Sequence, residues 1–203
     1  MASIRHYLPI TRFTNAQYHK ITAIVEHGIL QKLGFNRHTP KVVLYGPQKF
    51  GGKSFIHILT EQLIMHTYSF MTHLRVNNEV GTLQRIRLNL QQLIVGANNT
   101  IFKLNYKRYI YYEHTKITYL WNKLSALRIK LDIQGAWRPT LRTHNDHFIM
   151  EAFVNKGYTS SVLTVLNNVR VYMKVVVLNN VTIQDGTKMI PWAIYSEINT
   201  HNN

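Results

Sequence analysis

The sequence predicts a mainly α-helical chain with one short strand and a candidate C-terminal β-hairpin. Two observations carry that prediction. Five segments repeat apolar residues at steps of three and four, the period of a helix with one buried face. Only two stretches carry β signals, and both are short.

Taken in order, residues 15–33 place Ile21, Ile24, Val25 and Ile29 on one face and stop at Gly34, a suitable left-handed residue beyond a helix end. Residues 54–74 space Phe55, Leu59, Leu63, Phe70 and Leu74 helically. Residues 82–95 open on Thr82 as an N-cap and run Leu83, Ile86, Leu90, Leu93. Residues 115–128 start at Thr115 and turn Ile117, Leu120, Trp121, Leu124 and Leu127 inward, with Arg128 suiting the C-terminal dipole. Residues 160–173 follow a Thr159-Ser160-Ser161 cluster, with Val162, Leu166, Val169 and Met173 inward. Val42–Tyr45 reads as the strand. Val181–Ile190 reads as the hairpin, because Asp185-Gly186 suits a type I′ turn. The domain reading is a helical region over 1–99 and a basic downstream helical region over 100–203.

The stretch "VVLYGPQKFGGKSF" (Val42 to Phe55) has the outline of a phosphate-binding loop. That loop needs a glycine, four residues, then Gly-Lys-Ser/Thr. Gly52-Lys53-Ser54 ends correctly, but the required first glycine is Pro47, and Gly46 lies one residue too far back. Proline offers no N–H and stiffens the part that should wrap the phosphate. No apolar run ends in the carboxylate that Mg²⁺ would need. A structural glycine turn is the expected reading, and a distorted nucleotide-hydrolysing loop over Gly46–Ser54 is the alternative.

The chain has 203 residues, 45% of them hydrophobic, enough for one large domain or two small ones. Lys and Arg number 24 against 9 acids, a formal charge of +15. Such an imbalance favours polyanionic partners, nucleic acid first among them. An anionic membrane would favour a polybasic cluster, whereas these cations are dispersed singly and in pairs, so no membrane partner is expected. There is no cysteine, which excludes disulfides and thiolate zinc sites. No apolar run approaches the roughly 18 residues of a transmembrane helix, and "MASIRHYLPITRF" lacks an apolar signal core. An intracellular location is the expectation.

Two-metal polymerase and nuclease centres need converging carboxylates. The aspartates are Asp132, Asp146 and Asp185, none beside another acid. Eleven histidines are present, but only "THNDHF" clusters two of them, His144 and His147. A third metal ligand would have to come from elsewhere, so Asn145 or Asp146 is expected as a helix cap. No catalytic residue, metal or cofactor is expected of this chain.

Binding signals are stronger. "KLNYKRYIYYEHTK" interleaves Lys103, Lys107, Arg108 and Lys116 with Tyr106, Tyr109, Tyr111 and Tyr112. Cations meet phosphates, and tyrosine faces stack on bases or sugars. The competing reading buries the tyrosines and solvates the lysines. Arg85 with Arg87, Arg128 with Lys130, and Arg138 with Arg142 are further basic pairs. The candidate nucleic-acid-binding set is Lys53, Arg85, Arg87, Lys103, Tyr106, Lys107, Arg108, Tyr109 and Lys116.

The run "LGFNRHTPKVVLYGPQKFGGKSFIHILTEQ" (Leu33 to Gln62) resembles a segment of non-LTR retroelement reverse transcriptases, in which a proline and a glycine pair follow the catalytic palm. Pro47, Gly51 and Gly52 match that turn, and Phe55 through Gln62 resemble the helix after it. Further matches follow in order: "HLR" (His73–Arg75), "LQQLIVG" (Leu90–Gly96), "GAWRP" (Gly135–Pro139), "NDHFIME" (Asn145–Glu151) and "LNNVRVYMKVVVLNNV" (Leu166–Val181). Lys53-Ser54 departs from the family, which carries an aliphatic residue and a glycine there. The resemblance implies a thumb-like region over 1–99 that grips RNA–DNA hybrid or other duplex by its backbone. It implies that the Asp-Asp palm lies upstream of Met1, so the missing polymerase portion is a candidate partner. A non-functional remnant of such an element is a further alternative.

Overall fold

A computed structural model describes residues 8, 11, 13–109, 111, 114–141, 143–144, 146–183 and 188–195. The chain divides into two compact units, Met1–Asn77 and Asn78–Asn203. Helices dominate both, and no sheet forms among the described residues. Among those residues no helix is long and apolar enough to cross a membrane.

The first unit holds α1 (Asn15–Lys32), α2 (Lys41–Tyr45) and α3 (Ile58–Arg75). Thr14 and Gln17 form a reciprocal capping box at the start of α1. The helix buries Tyr18, Thr22 and Leu30, while Ile24 faces solvent. On α3 the buried residues are Gln62, Leu63 and Phe70. Gln62 donates to the carbonyls of Leu8 and Thr11, which ties the chain's early residues to this helix.

The expected strand Val42–Tyr45 is instead α2. Pro40 stands at its N-cap, where a missing N–H costs nothing. Only Leu44 is buried while Val42 is exposed, and no strand is there to pair with among the described residues. A four-residue apolar run fits either period, so partners decide.

The second unit holds α4 (Glu79–Val95), α5 (Lys116–Ala126), α6 (Ile149–Asn155) and α7 (Ser160–Tyr172). Asn78 caps α4 by accepting from the Gly81 amide, and Gly96 closes the helix in the left-handed region at φ 61°. The face that α4 buries differs from the expected one. Leu88, Gln91, Gln92 and Val95 point inward, whereas Leu83, Ile86 and Leu90 are exposed. The reason is polar. Gln92 donates to the carbonyls of Ala97 and Asn99 and accepts from the Ile101 amide, so it closes a buried turn that an aliphatic residue would leave unsatisfied. Helix α7 behaves alike: Leu163, Asn167 and Arg170 are buried, and Val162 and Val169 are exposed.

Helix α6, seven residues long, begins at Ile149, a few residues after the Asn145 or Asp146 expected to cap a helix there. Phe148 pairs with Val177 in an isolated antiparallel bridge, which seats Ile149 in a small core with Val175 and Tyr195. Among the described residues the expected hairpin over 181–190 forms no ladder. Its arms meet at one isolated bridge, Thr182 with Met189, because two short arms without a third strand bury too little to extend. The Asp185-Gly186 turn lies outside the described residues.

Candidate nucleic-acid interface

Helix α5 organises a basic concavity of the second unit. Thr115 and Thr118 form its capping box, and Ile117, Leu120, Trp121 and Leu124 face the core as their spacing demands. Leu127, expected inward, is exposed because the helix ends at Ala126. The chain before α5 wraps it in two 3-10 turns, Ile101–Lys103 and Tyr106–Arg108. Trp121 Nε1 donates to the Leu104 carbonyl at 2.9 Å, and the Tyr106 amide donates to Ser125 Oγ at 3.2 Å.

This wrapping sorts the tyrosines from the cations. The Tyr106 ring meets Trp121 edge-on at 5.2 Å, and Tyr109 lies 6.1 Å from the same indole. Both are buried, and burial raises the pKa of each phenol. Tyr111 is deeper still, with its hydroxyl donating to the Val95 carbonyl at 3.0 Å and its pKa raised mainly by burial. Tyr109 and Tyr111 therefore cannot serve as exposed stacking platforms, and Tyr106 offers only its place under the surface. Tyr112 lies outside the described residues. Lys103, Lys107 and Arg108 are on the outside of the same turns.

Between these turns and the end of α5 lies a groove of about 630 Å³. Lys103, Lys107, Arg128 and Lys130 supply its charge, Asn105, Asn122 and Ser125 its neutral hydrogen-bonding groups, and Tyr106 part of its lining. Lys103 is held 2.8 Å from the exposed Asp132 carboxylate. Exposed pairs of this kind contribute roughly 0–1 kcal/mol, so a phosphate can take the carboxylate's place. Arg128 occupies the left-handed region at φ 58°, just past the helix end, where the Ile129 amide bonds back to the Leu124 carbonyl. Glycine is the usual residue there. Here the position carries a guanidinium on the groove instead.

The groove unites Lys103, Tyr106 and Lys107 of the expected set with the Arg128–Lys130 pair. It does not gather the rest. Arg108 Nη2 donates to Asn155 Oδ1 at 2.8 Å. Lys116 stands at the opposite end of α5 from the groove. Arg85, bonded to Thr82 Oγ1, and Arg87 lie on α4, and Lys53 lies in the first unit. Arg142 is outside the described residues, and Arg138 is exposed. The reading of residues overlooked Asn105, Asn122 and Ser125. Asn122 and Ser125 are three apart on the polar side of α5, and that spacing was the available signal.

The glycine turn is a closed structure. Gly51 takes φ 81°, and a Cβ on Gly52 would overlap the backbone of Gly46. The Pro47 carbonyl accepts from the amides of Phe50 and Gly52. Lys53 and Ser54 amides donate to the carbonyls of Val43 and Gly46, and the Gln48 amide donates to Ser54 Oγ. A phosphate cradle needs such amides pointing at the ligand; here they point into the turn. The next helix begins only at Ile58, so no helix N-terminus faces Lys53 either.

Asp146 does not cap a helix. Its Oδ1 accepts from the amides of His147 and Asn179, which pins two distant segments together, while α6 begins at Ile149 after an uncapped Phe148. Asn145 lies outside the described residues. No three His, Cys, Asp or Glu side chains come together among the described residues. Compared with known protein families, with curated proteins and with solved structures, the chain matches none.

Proposed function

We propose that this chain is a thumb and downstream portion of a retroelement reverse transcriptase, holding RNA–DNA hybrid or other duplex without sequence preference. The observation that carries the binding half is the groove lined by Lys103, Lys107, Arg128 and Lys130. Four cations with amide and hydroxyl groups between them fit a sugar-phosphate backbone, which offers charge and oxygen acceptors but no base code. The overall charge of +15 adds long-range attraction. The enzyme-family half rests on the ordered sequence resemblance from Leu33 to Val181.

In this reading the chain binds and another portion catalyses. The buried tyrosines shape the wall that presents the cations, and contacts to the nucleic acid fall to Lys and Arg.

The test is binding of a fluorescent RNA–DNA hybrid to the full chain across a salt series. The logarithm of the binding constant falling linearly with the logarithm of salt concentration is expected, since each neutralised phosphate releases counterion. Affinity independent of salt would sink the proposal. Incorporation of nucleotides by the purified chain in a primer-extension assay would overturn the division of labour.

A further inference from the structure

The turn at Gln48–Phe50 displays an exposed aromatic ring. Phe50 is 78% exposed, the side chain of an apolar residue held almost wholly in solvent. A single exposed hydrophobe is ordinary. This one differs in what holds it and in what flanks it. The Phe50 amide bonds to the Pro47 carbonyl at 3.0 Å, and the Gly51 amide to Gln48 at 2.9 Å. The chain on both sides is tied down through Gly52, Lys53 and Ser54. The ring therefore projects from a tip with little backbone freedom left to lose on binding. Lys49 places its ammonium 4.8 Å from the ring centroid, and Lys53, four residues on, holds its own 5.7 Å from the Phe35 ring. At 78% exposure, with the Lys49 ammonium over the ring, most of the Phe50 side chain remains accessible to solvent.

We infer that Phe50 is a stacking platform for an unpaired nucleobase, with Lys49 and Lys53 reaching the phosphates beside it. A base offers a flat π-face to the exposed ring, and its strand offers negative charge to Lys49 at the ring and to Lys53 further along the same turn. The occupant is a base outside the duplex, because a base paired within the stack keeps both faces covered by its neighbours. The inference rests on the nucleic-acid reading above and adds to it a specific ligand: an unpaired nucleotide at a strand end or a single-stranded extension.

The test uses the full chain and two RNA–DNA hybrids that differ in one group. Each carries a single-nucleotide overhang, adenine in one and an abasic residue in the other, so the phosphates are identical. The wild type binds the adenine overhang about tenfold more tightly than the abasic one. Phe50→Ala removes that ratio and leaves affinity for the abasic hybrid unchanged; Phe50→Trp retains it. With 2-aminopurine in the overhang, fluorescence quenches on binding to the wild type and not to Phe50→Ala.

A wild-type ratio of one, or a ratio that survives Phe50→Ala, overturns the stacking site while the duplex reading stands. Failure to bind either hybrid overturns both. Binding to phosphatidylserine vesicles that Phe50→Ala abolishes, with the overhang ratio unaffected, assigns the ring to a membrane and overturns the stacking role.

Discussion

Arg170 Nη2 lies 2.7 Å from the carbonyl oxygen of Ile94 and 3.0 Å from that of Leu93, so a residue of α7 finishes the last turn of α4. The same guanidinium donates to the Val175 carbonyl and to Asn167 Oδ1. Burial lowers its pKa, yet arginine stays protonated at neutral pH. Arg170→Leu leaves three buried carbonyls without this donor and should cost about 3 kcal/mol, read from the urea midpoint. Arg170→Lys recovers only part, because an ammonium cannot span the fork.

Glycines in the first unit separate into two kinds. Gly52→Ala forces a methyl into the Gly46 backbone and should destabilise by about 2 kcal/mol. Gly28, inside α1, has nothing within 4 Å of its would-be Cβ. Gly28→Ala should stabilise by roughly 0.5–1 kcal/mol through helix propensity. Thermal melts of the two variants would move in opposite directions.

Stability and binding are set against each other at Arg128. Arg128→Gly relieves the left-handed backbone, worth about 1 kcal/mol, and removes one cation from the groove. The expected result is a higher melting temperature with weaker hybrid binding and a salt slope shallower by about 0.7–0.9. Equal binding by the variant would place the contact elsewhere.

Acid affects the second unit through Glu151. Burial raises its carboxyl above the usual 4.5, while the Asn98 amide and Arg108 pull the other way. The folded chain then holds this proton more tightly than the unfolded one. Its contribution is fully present below about pH 4.5 and is lost as pH rises through the folded value. Glu151→Gln should flatten that part of the stability profile, as followed by denaturant midpoints from pH 4 to 7.

Helix positions were legible in part, because caps and periods are local: Thr115 caps α5 with its hydroxyl, and Thr159 lies at the N-cap of α7 without a side-chain bond. Thr82, expected as an N-cap, lies inside α4, which begins earlier on Asn78. The inward faces of α4 and α7 were not legible, because Gln92 is buried by bonds to the turn that follows its own helix, and Arg170, with Asn167 beside it, by bonds to the distant end of α4. A rule that puts aliphatics inside cannot foresee a core that needs donors. Likewise the cations of Lys103–Lys116 could be named from sequence, but their meeting with Arg128 and Lys130 required the fold of the 3-10 turns over α5. Val42–Tyr45 misled for the opposite reason: its residues favour strand, and no strand partner exists among the described residues.

Helix α2 has five residues, far below the length at which a helix persists by itself. Its carbonyls at Val43 and Leu44 are claimed by the returning amides of Lys53 and Phe55. Neither partner can open alone without breaking the other. In hydrogen–deuterium exchange the amides of Val43, Lys53, Ser54 and Phe55 should therefore exchange at one common rate, as a single cooperative unit within the first half of the chain.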